Sequence, residues 1–294
     1  MRTYTSSSFK FIAVLMACSV LHGCTIGVPQ QPTTAEPPSA TSETSPPADP
    51  GIDSLTREVA ELTRRGHEVG VVILGAHGPT ELGNLREGAA WSTAKVPLAT
   101  AALQNEQTPE STALISAAIS ESDNAAADEL WNALGTPDRA ATSVTEVIHQ
   151  AGDTATNVPS EQLQPEYSIV GQTMWGLAAQ THFLAGWRCE SEAAPILAAM
   201  RNVVPEHSYG LGHLAGAAFK GGWGPGPDGK YLVRQMALVP RGDGDLAIAI
   251  AVRAHDGSYE TGKDILNTLA DRIQPMLDTE FSGDQWAPLN PCPT

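Results

Sequence analysis

The order of strand-like and helix-forming segments predicts an α/β protein of the α+β type, in which both chain ends contribute to one antiparallel sheet. A β-rich apolar run, residues 68–75, comes early, and three strand-like runs come late, at 214–221, 231–239 and 245–253. Helix-forming composition dominates between them, from about 92 to 200. Strands that bracket a helical insertion favour a sheet flanked by helices, with the insertion forming a second, all-helical lobe. A cleft between two lobes is a usual place for a functional site.

Local patterns predict the elements that flank this insertion. A helix is expected at 53–65, with Gly66 as its stop, and a second amphipathic helix is expected at 259–277. The apolar run at 68–75 is followed by a turn-prone His-Gly-Pro and a weaker strand near 80–86. The apolar residues at helical spacing are Leu55, Val59 and Leu62 in the first helix and Ile265, Leu269 and Ile273 in the second.

Composition limits the classes of function. The 294 residues carry 17 lysines and arginines against 33 acidic residues, a formal net charge of −16. This balance argues against a nucleic-acid-binding protein, which needs a basic patch to neutralise phosphates. The hydrophobic fraction of 41% is enough to bury a sizeable core. The eight histidines show neither H-x-x-x-H nor H-E-x-x-H spacing, so we predict no metal site and no cofactor.

Residues 1–23 have the pattern of a secretory signal. Two cations and no acid precede a continuous apolar run at 11–21, which is too short to span a bilayer. The run ends in Leu-His-Gly-Cys24, which resembles the lipobox of bacterial lipoproteins. That resemblance implies that Cys24 is acylated and becomes the first mature residue, with Cys18 as a weaker candidate. We expect an extracytoplasmic protein, lipid-anchored to the cell membrane; an ordinary secreted protein is the alternative.

A proline-rich tether is predicted after the signal, over residues 24–51. It contains seven prolines, and most of its other residues are small or polar, so it cannot bury enough apolar surface to fold. The rest of the chain, 52–294, is expected to form one globular domain. Cys189 and Cys292 lie in this domain, and an exported compartment permits a disulfide between them. Two free thiols are the alternative.

The first of three short motifs is Ser92-Thr-Ala-Lys95, at the start of a predicted helix. The two side chains lie one turn apart and therefore share a helix face. A serine hydroxyl becomes a good nucleophile when a neighbour takes its proton. A lysine can take it when desolvation and nearby cations lower the lysine pKa. Taken alone, however, the pair is more typical of a helix cap followed by a surface cation.

The other two motifs are also ambiguous when each is taken alone. Ser122-Asp123-Asn124 lies between two apolar helical stretches, and its residue types are the preferred N-caps of helices. Lys220-Gly-Gly lies at the end of a predicted strand and fits a strand that enters a glycine turn.

Together and in this order, the three motifs resemble the S-x-x-K, S-D-N and K-[TS]-G set of class A β-lactamases and penicillin-binding proteins. The resemblance covers roughly residues 52–277. WSTAKVPLATAAL, ESDNAAADELWNALG and TMWGLAAQTHFLAGW look like the nucleophile helix, the second-motif helix and the helix after the Ω loop. Within the superfamily, the chain is most similar to alanine-rich, β-lactamase-like lipoproteins of actinobacteria. The 30 residues from Ser92 to Ser122 are fewer than in typical class A enzymes, which implies a trimmed helical lobe.

The resemblance implies a role for each motif residue. Ser92 would be the acylated nucleophile, and Lys95 would accept its proton directly or through water. Ser122 would relay a proton to the leaving nitrogen, and Lys220 would keep the cluster electropositive and attract a carboxylate. The predicted substrate-binding residues are Asn124, Gly222, Trp223 and Arg234.

Two of these assignments concern substrate recognition. Asn124 would hydrogen-bond Lys95 or the amide of the substrate, and the N–H groups of Ser92 and Trp223 would form an oxyanion hole. The third motif departs from the family at Gly221, which has no hydroxyl to bind a substrate carboxylate. Arg234, on the next strand, could substitute for that hydroxyl; an exposed strand cation is the alternative.

A second departure concerns deacylation. The family uses an Ω-loop glutamate as the base, and its equivalent here falls near 155–158, where the sequence is Ala-Thr-Asn-Val. Asp153 is the carboxylate closest to this position, and Glu161 and Glu166 are the closest glutamates. Either glutamate could take the role of the base only if the loop were shifted. We therefore expect slow hydrolysis of the acyl-enzyme and poor turnover of β-lactams.

The leading hypothesis is an exported serine hydrolase or acyltransferase, acting as a monomer on β-lactams or on peptidoglycan-like amides. One alternative is a catalytically degenerate binding lipoprotein of the cell envelope that retains the fold. Another is an esterase-like hydrolase of uncharged acyl substrates, which would explain the lost carboxylate anchor. Membrane contact is expected only through Cys24, because a strongly acidic protein is not attracted to anionic lipid headgroups.

Overall fold

A computed structural model describes residues 50–278 and 286–292 of the chain. The predicted signal, the acylation site Cys24 and the tether up to residue 49 lie outside the described residues. The strands in the described ranges are β1 (Glu68–Gly75), β2 (Gly78–Gly83), β3 (Glu87–Ala89), β4 (Met174–Gly176), β5 (Ala218–Pro225), β6 (Tyr231–Arg241) and β7 (Gly244–Arg253). The α-helices there are α1 (Pro50–Arg64), α2 (Lys95–Asn105), α3 (Pro109–Ser116), α4 (Asn124–Ala133), α5 (Pro137–Gln150), α6 (Leu177–Trp187), α7 (Ala193–Arg201) and α8 (Tyr259–Leu277).

The main sheet has five strands in the order β2-β1-β7-β6-β5, and every neighbouring pair is antiparallel. The first two strands of the chain therefore share a sheet with its last three, as the sequence predicts. Helices α2 to α7 form the insertion between them, and the predicted α+β class is confirmed. None of the described helices combines the length and apolarity that crossing a bilayer requires.

Alternation along β7 decides which helices cover each face of the sheet. Side chains of a strand point alternately to its two faces. The larger apolar residues of β7 join the core formed with α1 and α8: Leu246, Ile248, Ile250 and Val252. The alanines between them lie on the other face, against which α6 packs. Small side chains on that face let α6 lie close to the sheet. Helix α6 also contacts the first motif, where Gln180 Nε2 donates to Thr93 Oγ1 at 2.9 Å.

Several predicted boundaries differ from the structure. Helix α1 begins at Pro50, inside the tether predicted to reach residue 51. The strand expected at 214–221 begins only at Ala218 and runs on to Pro225. A 3₁₀ turn at Gly210–His213 and a left-handed residue, Gly216 (φ 72°), redirect the chain just before it. The helix-rich region also contains β4, which pairs with β3, and an irregular loop over 151–169.

The chain terminus is fixed to the domain by a disulfide. Cys189 and Cys292 are bonded to each other, with their Cα atoms 5.4 Å apart. Arg188 Nη1 donates to both sulfur atoms, at 2.8 and 3.0 Å. The same segment is tied to the start of β7, where Leu289 N donates to Asp245 O at 2.8 Å. Of the two alternatives for the cysteines, the structure therefore has the disulfide.

Candidate active site

The first motif occupies a tight turn at the start of α2. A 3₁₀ helix, Trp91–Ala94, leads directly into α2, whose first residue is Lys95. Trp91 has a left-handed backbone (φ 49°), a conformation that non-glycine residues rarely adopt and that clusters at functional sites. Ser92 is half-buried, and Lys95 is buried with 2% of its surface exposed.

The Lys95 ammonium is held by three acceptors from the second motif. Its Nζ donates to Ser122 O at 2.6 Å, to Asp123 O at 3.1 Å and to Asn124 Oδ1 at 2.7 Å. Burial lowers the Lys95 pKa to about 8, while the charges of Asp123 and Asp128 oppose that shift. An amine with this pKa changes protonation state close to neutral pH, which is the property a general base needs.

Local backbone geometry points the second motif into the cleft. A five-residue π-helical turn, Ala117–Glu121, ends at Ser122, which is left-handed (φ 59°). Asp123 then caps α4, with its Oδ1 accepting from Ala126 N at 3.0 Å. The aspartate is therefore used for folding. Ser122 and Asn124, on either side of it, line the cleft.

The third motif meets the second through Lys220. Its Nζ donates to Ser122 Oγ at 2.9 Å and to Gly221 O at 3.1 Å. Lys220 is buried, and the loss of water holds its pKa well below the usual lysine value, with the positive charge of Lys95 acting in the same direction. The amines of Lys95 and Lys220 therefore both lie beside Ser122 at this end of the cleft.

Strand β5 passes unusually close to the backbone of the first motif. A Cβ on Gly222 would lie 2.8 Å from Ala90 O and 2.9 Å from Ser92 N, so only glycine fits there. This approach puts the backbone of Ser92 beside Gly222 and Trp223, as an oxyanion hole built from these two segments requires. The Trp223 ring lies 5.1 Å from that of His207.

These groups surround one cavity of about 320 Å³. Ser92, Lys95, Ser122, Asn124 and Trp223 line it together. Gly222 and Lys220 support it from β5. The structure thus brings together all four predicted catalytic residues and three of the four predicted substrate-binding residues. In the described ranges, no group of three or more His, Cys, Asp or Glu side chains is arranged to hold a metal ion.

Arg234, the fourth predicted substrate-binding residue, does not contact this cavity, and its predicted role is wrong. Its side chain is 0% exposed. Nη1 donates to Gly88 O and Ala89 O, at 2.8 and 3.1 Å, and Nη2 donates to Trp175 O and Gln180 Oε1, at 3.1 and 2.6 Å. The guanidinium therefore ties the β3–β4 ribbon and α6 to the sheet. The alternative of an exposed strand cation is also wrong.

The carboxylates considered as the base for deacylation, Asp153 and Glu166, lie in different surroundings. Asp153 is buried and accepts from Trp175 Nε1 at 2.8 Å, so it is part of the core. In the 163–170 part of the loop, Glu166, Tyr167, Ser168 and Val170 line the cavity. Glu166 is therefore the glutamate, of the two named from the sequence, that reaches the cavity lining.

Sequence reasoning missed two titratable residues of the lining, Asp128 and His207. Asp128 lies one helical turn after Asn124 on α4, and this spacing could have revealed it. Partial burial raises its pKa, and the charge of Lys95 opposes the rise. The His207 Nδ1 is buried without a hydrogen-bond partner in the described part of the chain. Burial, and then the charge of Lys220, lower the His207 pKa.

Several solved structures of β-lactamases have the same fold as this chain. TLA-3 extended-spectrum β-lactamase matches with a TM-score of 0.61 and 17% identity, over 76% of this chain and 98% of that chain. A class A β-lactamase from Bacteroides cellulosilyticus DSM 14838 matches with a TM-score of 0.62 and 16% identity, over 77% and 98%. The last common ancestor of Gram-negative bacteria β-lactamase class A matches with a TM-score of 0.60 and 18% identity, over 76% and 100%. No protein-family profile and no curated protein matches the chain. At these identities, the comparisons establish the fold.

Proposed function

We propose that the protein is an exported serine hydrolase or acyltransferase that forms an acyl-enzyme on Ser92. The observation that carries this proposal is the convergence of three separate chain segments on one cavity, joined by the 2.9 Å hydrogen bond from Lys220 Nζ to Ser122 Oγ. The β-lactamase-like fold supports β-lactams or peptide-like amides of the cell wall as the substrate class.

In the proposed acylation, each of these groups has one role. Neutral Lys95 accepts the Ser92 hydroxyl proton while Oγ attacks the carbonyl carbon. The N–H groups of Ser92 and Trp223 stabilise the resulting oxyanion. The C–N bond then breaks, and Ser122 passes its hydroxyl proton to the leaving nitrogen and takes up the proton that Lys95 had accepted, with Lys220 stabilising the charge on the serine oxygen during the transfer. The products are a Ser92 ester and an amine, or an opened β-lactam ring.

We further propose that the acyl-enzyme hydrolyses slowly. Hydrolysis needs a base for the attacking water, and Asp153 is committed to the core through Trp175. Asp128 and Glu166 are the carboxylates that line the cavity, and because both side chains are exposed, we expect water activation by either one to be inefficient. We therefore expect poor turnover of penicillins and cephalosporins, although the initial acylation proceeds.

Cellular location is part of the proposal, and the support for it is in the sequence. The signal-like residues 1–23 and the lipobox-like Cys24 favour export, lipid anchoring to the membrane and the alanine-rich lipoprotein type. Expression of the full chain and of Cys24→Ala, followed by detergent phase partitioning and mass spectrometry, tests this. Wild type should enter the detergent phase with added acyl mass, and the variant should not.

Intact-mass spectrometry of the full-length protein with a panel of β-lactams and an activated acyl ester tests the enzymatic proposal. Ser92→Ala is the control for the nucleophile, and Ser54→Ala on α1 is a control for the substitution itself. A stable adduct on wild type and Ser54→Ala, absent from Ser92→Ala, supports it. Absence of any adduct in a protein that remains folded contradicts it.

A second candidate is a cell-envelope binding lipoprotein that retains the fold without turnover. The specific observation in its favour is that Lys95 Nζ already donates to three acceptors, at 2.6, 3.1 and 2.7 Å, so its three ammonium protons are engaged. A lysine locked in this charged form would not accept the Ser92 proton. Non-covalent binding of a cell-wall peptide, with no adduct from any acyl donor, would favour this candidate.

A further inference from the structure

Two neighbouring aromatic rings form part of the wall of the active-site cavity. His207 and Trp223 both line it, with 5.1 Å between their ring centroids and 57° between the ring planes. Behind them, the Trp223 ring lies 5.4 Å from that of Tyr259, the first residue of α8. Trp223 and Tyr259 also pack against the core formed with α1 and α8, which supports the rings from behind. We call His207 and Trp223 together the ring wall.

The ring wall lies at the end of the cleft where the leaving group departs. Ser122 is the proposed proton donor to the leaving group, and Lys220 donates to its hydroxyl. The positive charge of Lys220 also acts on the His207 ring. The short 3₁₀ turn that ends at His207 is tied to the second motif, because Val204 N donates to Ser120 O at 3.0 Å. A leaving group that takes its proton from Ser122 therefore departs beside the ring wall.

The His207 side chain is an uncharged ring at neutral pH. Partial burial, followed by the charge of Lys220, lowers its pKa, while the charge of Glu206 acts in the opposite direction. Its Nδ1 is buried without a hydrogen-bond partner among the described residues. Because an unpaired buried N–H is rarer in proteins than an unpaired acceptor, we place the ring proton on Nε2. His207 therefore offers a ligand an aromatic surface and one N–H, rather than a positive charge.

The cations of this region are already engaged by other groups. Lys220 is 2% exposed, and its Nζ has two acceptors within 3.1 Å. Lys263, on α8 behind the wall, is paired with Glu260 at 2.7 Å. Arg234 is held by carbonyl groups of the β3–β4 ribbon, and Gly221 has no hydroxyl. An anionic leaving group would therefore lose water without gaining a free cation from any of these residues.

We propose that the ring wall selects the leaving group, and that it favours an uncharged leaving group with an aromatic ring that stacks on His207 and Trp223. Ring pairs of this kind gain energy beyond the area that they bury. His207 is then a specificity-determining residue that takes no part in bond exchange. This inference rests on the proposed acylation of Ser92 and names the substrate class of that same site.

The reaction remains the acyl transfer described above. The bond between Ser92 Oγ and the acyl carbon forms, and the bond from that carbon to the leaving oxygen or nitrogen breaks. The leaving atom takes the hydroxyl proton of Ser122, and Ser122 takes up the proton that Lys95 accepted from Ser92. The ring wall holds the leaving group while these protons move, so the expected effect is on kcat/KM.

The test uses three acetate esters that differ in the leaving alcohol: benzyl alcohol, cyclohexylmethanol and 4-carboxybenzyl alcohol. The released alcohol is measured by chromatography with the full-length protein, and each kcat/KM is divided by the alkaline hydrolysis rate of the same ester to remove differences in reactivity. We expect the benzyl ester to exceed the cyclohexylmethyl ester by roughly 2- to 10-fold, the range that ring stacking contributes. The 4-carboxybenzyl ester should be no faster than the benzyl ester.

Variants of His207 show whether this preference comes from the ring. His207→Leu removes the ring and should bring the benzyl and cyclohexylmethyl rates together, with little change in the cyclohexylmethyl rate. His207→Phe keeps an aromatic ring without a titratable nitrogen and should retain the preference. His182→Leu, a change of an exposed histidine on α6, is the matched control and should behave as wild type.

The outcomes separate this inference from the proposed function. The inference is overturned if wild type shows no preference for the benzyl ester, if His207→Leu keeps the preference, or if His207→Phe loses it. A faster reaction of the 4-carboxybenzyl ester also overturns it and would make the ring wall an anion site. If β-lactams label Ser92 while none of the esters reacts, the inference falls and the proposed function stands. If no acyl donor of any kind labels Ser92, both fall.

Discussion

The Lys220 Nζ donates a 2.9 Å hydrogen bond to Ser122 Oγ, across 98 residues of sequence. An unusual backbone conformation brings Ser122 to this position, and a regular strand brings Lys220. Ser122 has a left-handed backbone, and Lys220 is fully enclosed on β5. A buried lysine that donates to a serine hydroxyl stabilises negative charge on that oxygen, which is what proton transfer to a leaving group requires.

Lys220→Met should therefore slow Ser92 acylation by about 10- to 100-fold, the range expected when a hydrogen bond from a charged donor is lost. Methionine keeps the volume and the apolar contacts of the lysine stem. The rate is measured by intact mass against time with an excess of a penicillin. Lys230→Met, an exposed lysine outside the cleft, is the matched control and should leave the rate unchanged. Equal rates in all three proteins would remove Lys220 from the mechanism.

The acylation rate should rise with pH. Burial lowers the Lys95 pKa to about 8, so the neutral amine that can accept a proton increases as the pH passes this value. We expect the rate to increase through pH 8 and then to level off, as measured by adduct formation in buffers of constant ionic strength.

Asn124→Ala should shift this pH dependence to lower pH. Asn124 Oδ1 accepts from the charged form of Lys95 at 2.7 Å, and an acceptor of this kind favours the ammonium. Removing it should lower the Lys95 pKa further and move the profile to lower pH. A profile that stays in place, or moves to higher pH, would show that Lys95 is not the titrating base.

Asp128 is expected to limit the lifetime of the acyl-enzyme. It lies one turn beyond Asn124 on α4 and lines the cavity, where partial burial raises its pKa and the charge of Lys95 opposes the rise. Asp128→Asn should lengthen the adduct half-life by about 100-fold, a typical contribution of a general base.

The half-life is measured by mass after excess β-lactam has been removed. Glu129→Gln, the exposed neighbour on the same helix, is the matched control. A longer half-life in Glu166→Gln, with Asp128→Asn unchanged, would assign water activation to the 163–170 loop instead.

Arg234 is expected to contribute to stability. Arg234→Met would leave buried carbonyl groups of β3 and β4 without a donor, and each such group costs roughly 1–3 kcal/mol. We expect the free energy of unfolding, measured in urea, to fall by about 3 kcal/mol. Arg272→Met breaks only a surface pair with Glu58 and should cost less than about 1 kcal/mol. A variant as stable as wild type that loses only carboxylated ligands would restore the substrate-binding role.

The sequence predicts the motif residues well because each motif lies on or next to a regular element with its own local signal. Ser92 and Lys95 share a helix start, and Lys220 lies in a run of strand-forming residues, as the third residue of β5. The large-small alternation of β7 is likewise visible in the sequence as an apolar strand.

Contacts between segments that are far apart in the sequence, or that lie in irregular loops, could not be predicted from such local signals. The β3–β4 ribbon joins two three-residue strands with 84 residues between them in the sequence, and these strands enclose Arg234. Glu166 reaches the cavity through an irregular loop without periodicity, so its place could not be counted from neighbouring motifs. Tertiary packing decides both positions.

The two glycines of the third motif should respond differently to the same substitution. A Cβ on Gly221 would meet Tyr209 Oη at 3.6 Å, an ordinary contact, whereas a Cβ on Gly222 would lie 2.8 Å from Ala90 O and 2.9 Å from Ser92 N. Alanine at 222 must therefore push β5 away from the nucleophile. Since a displaced oxyanion-hole donor costs about 100-fold in rate, Gly222→Ala should lose most Ser92 acylation.

Gly221→Ala is the matched control and should acylate at close to the wild-type rate. Circular dichroism and urea unfolding of both variants distinguish a local shift of β5 from general unfolding. Equal acylation by the two variants would mean that the close approach of β5 to Ser92 is not needed for the reaction. A loss confined to Gly222→Ala in a folded protein would place the oxyanion contacts at the junction of β5 and the first motif.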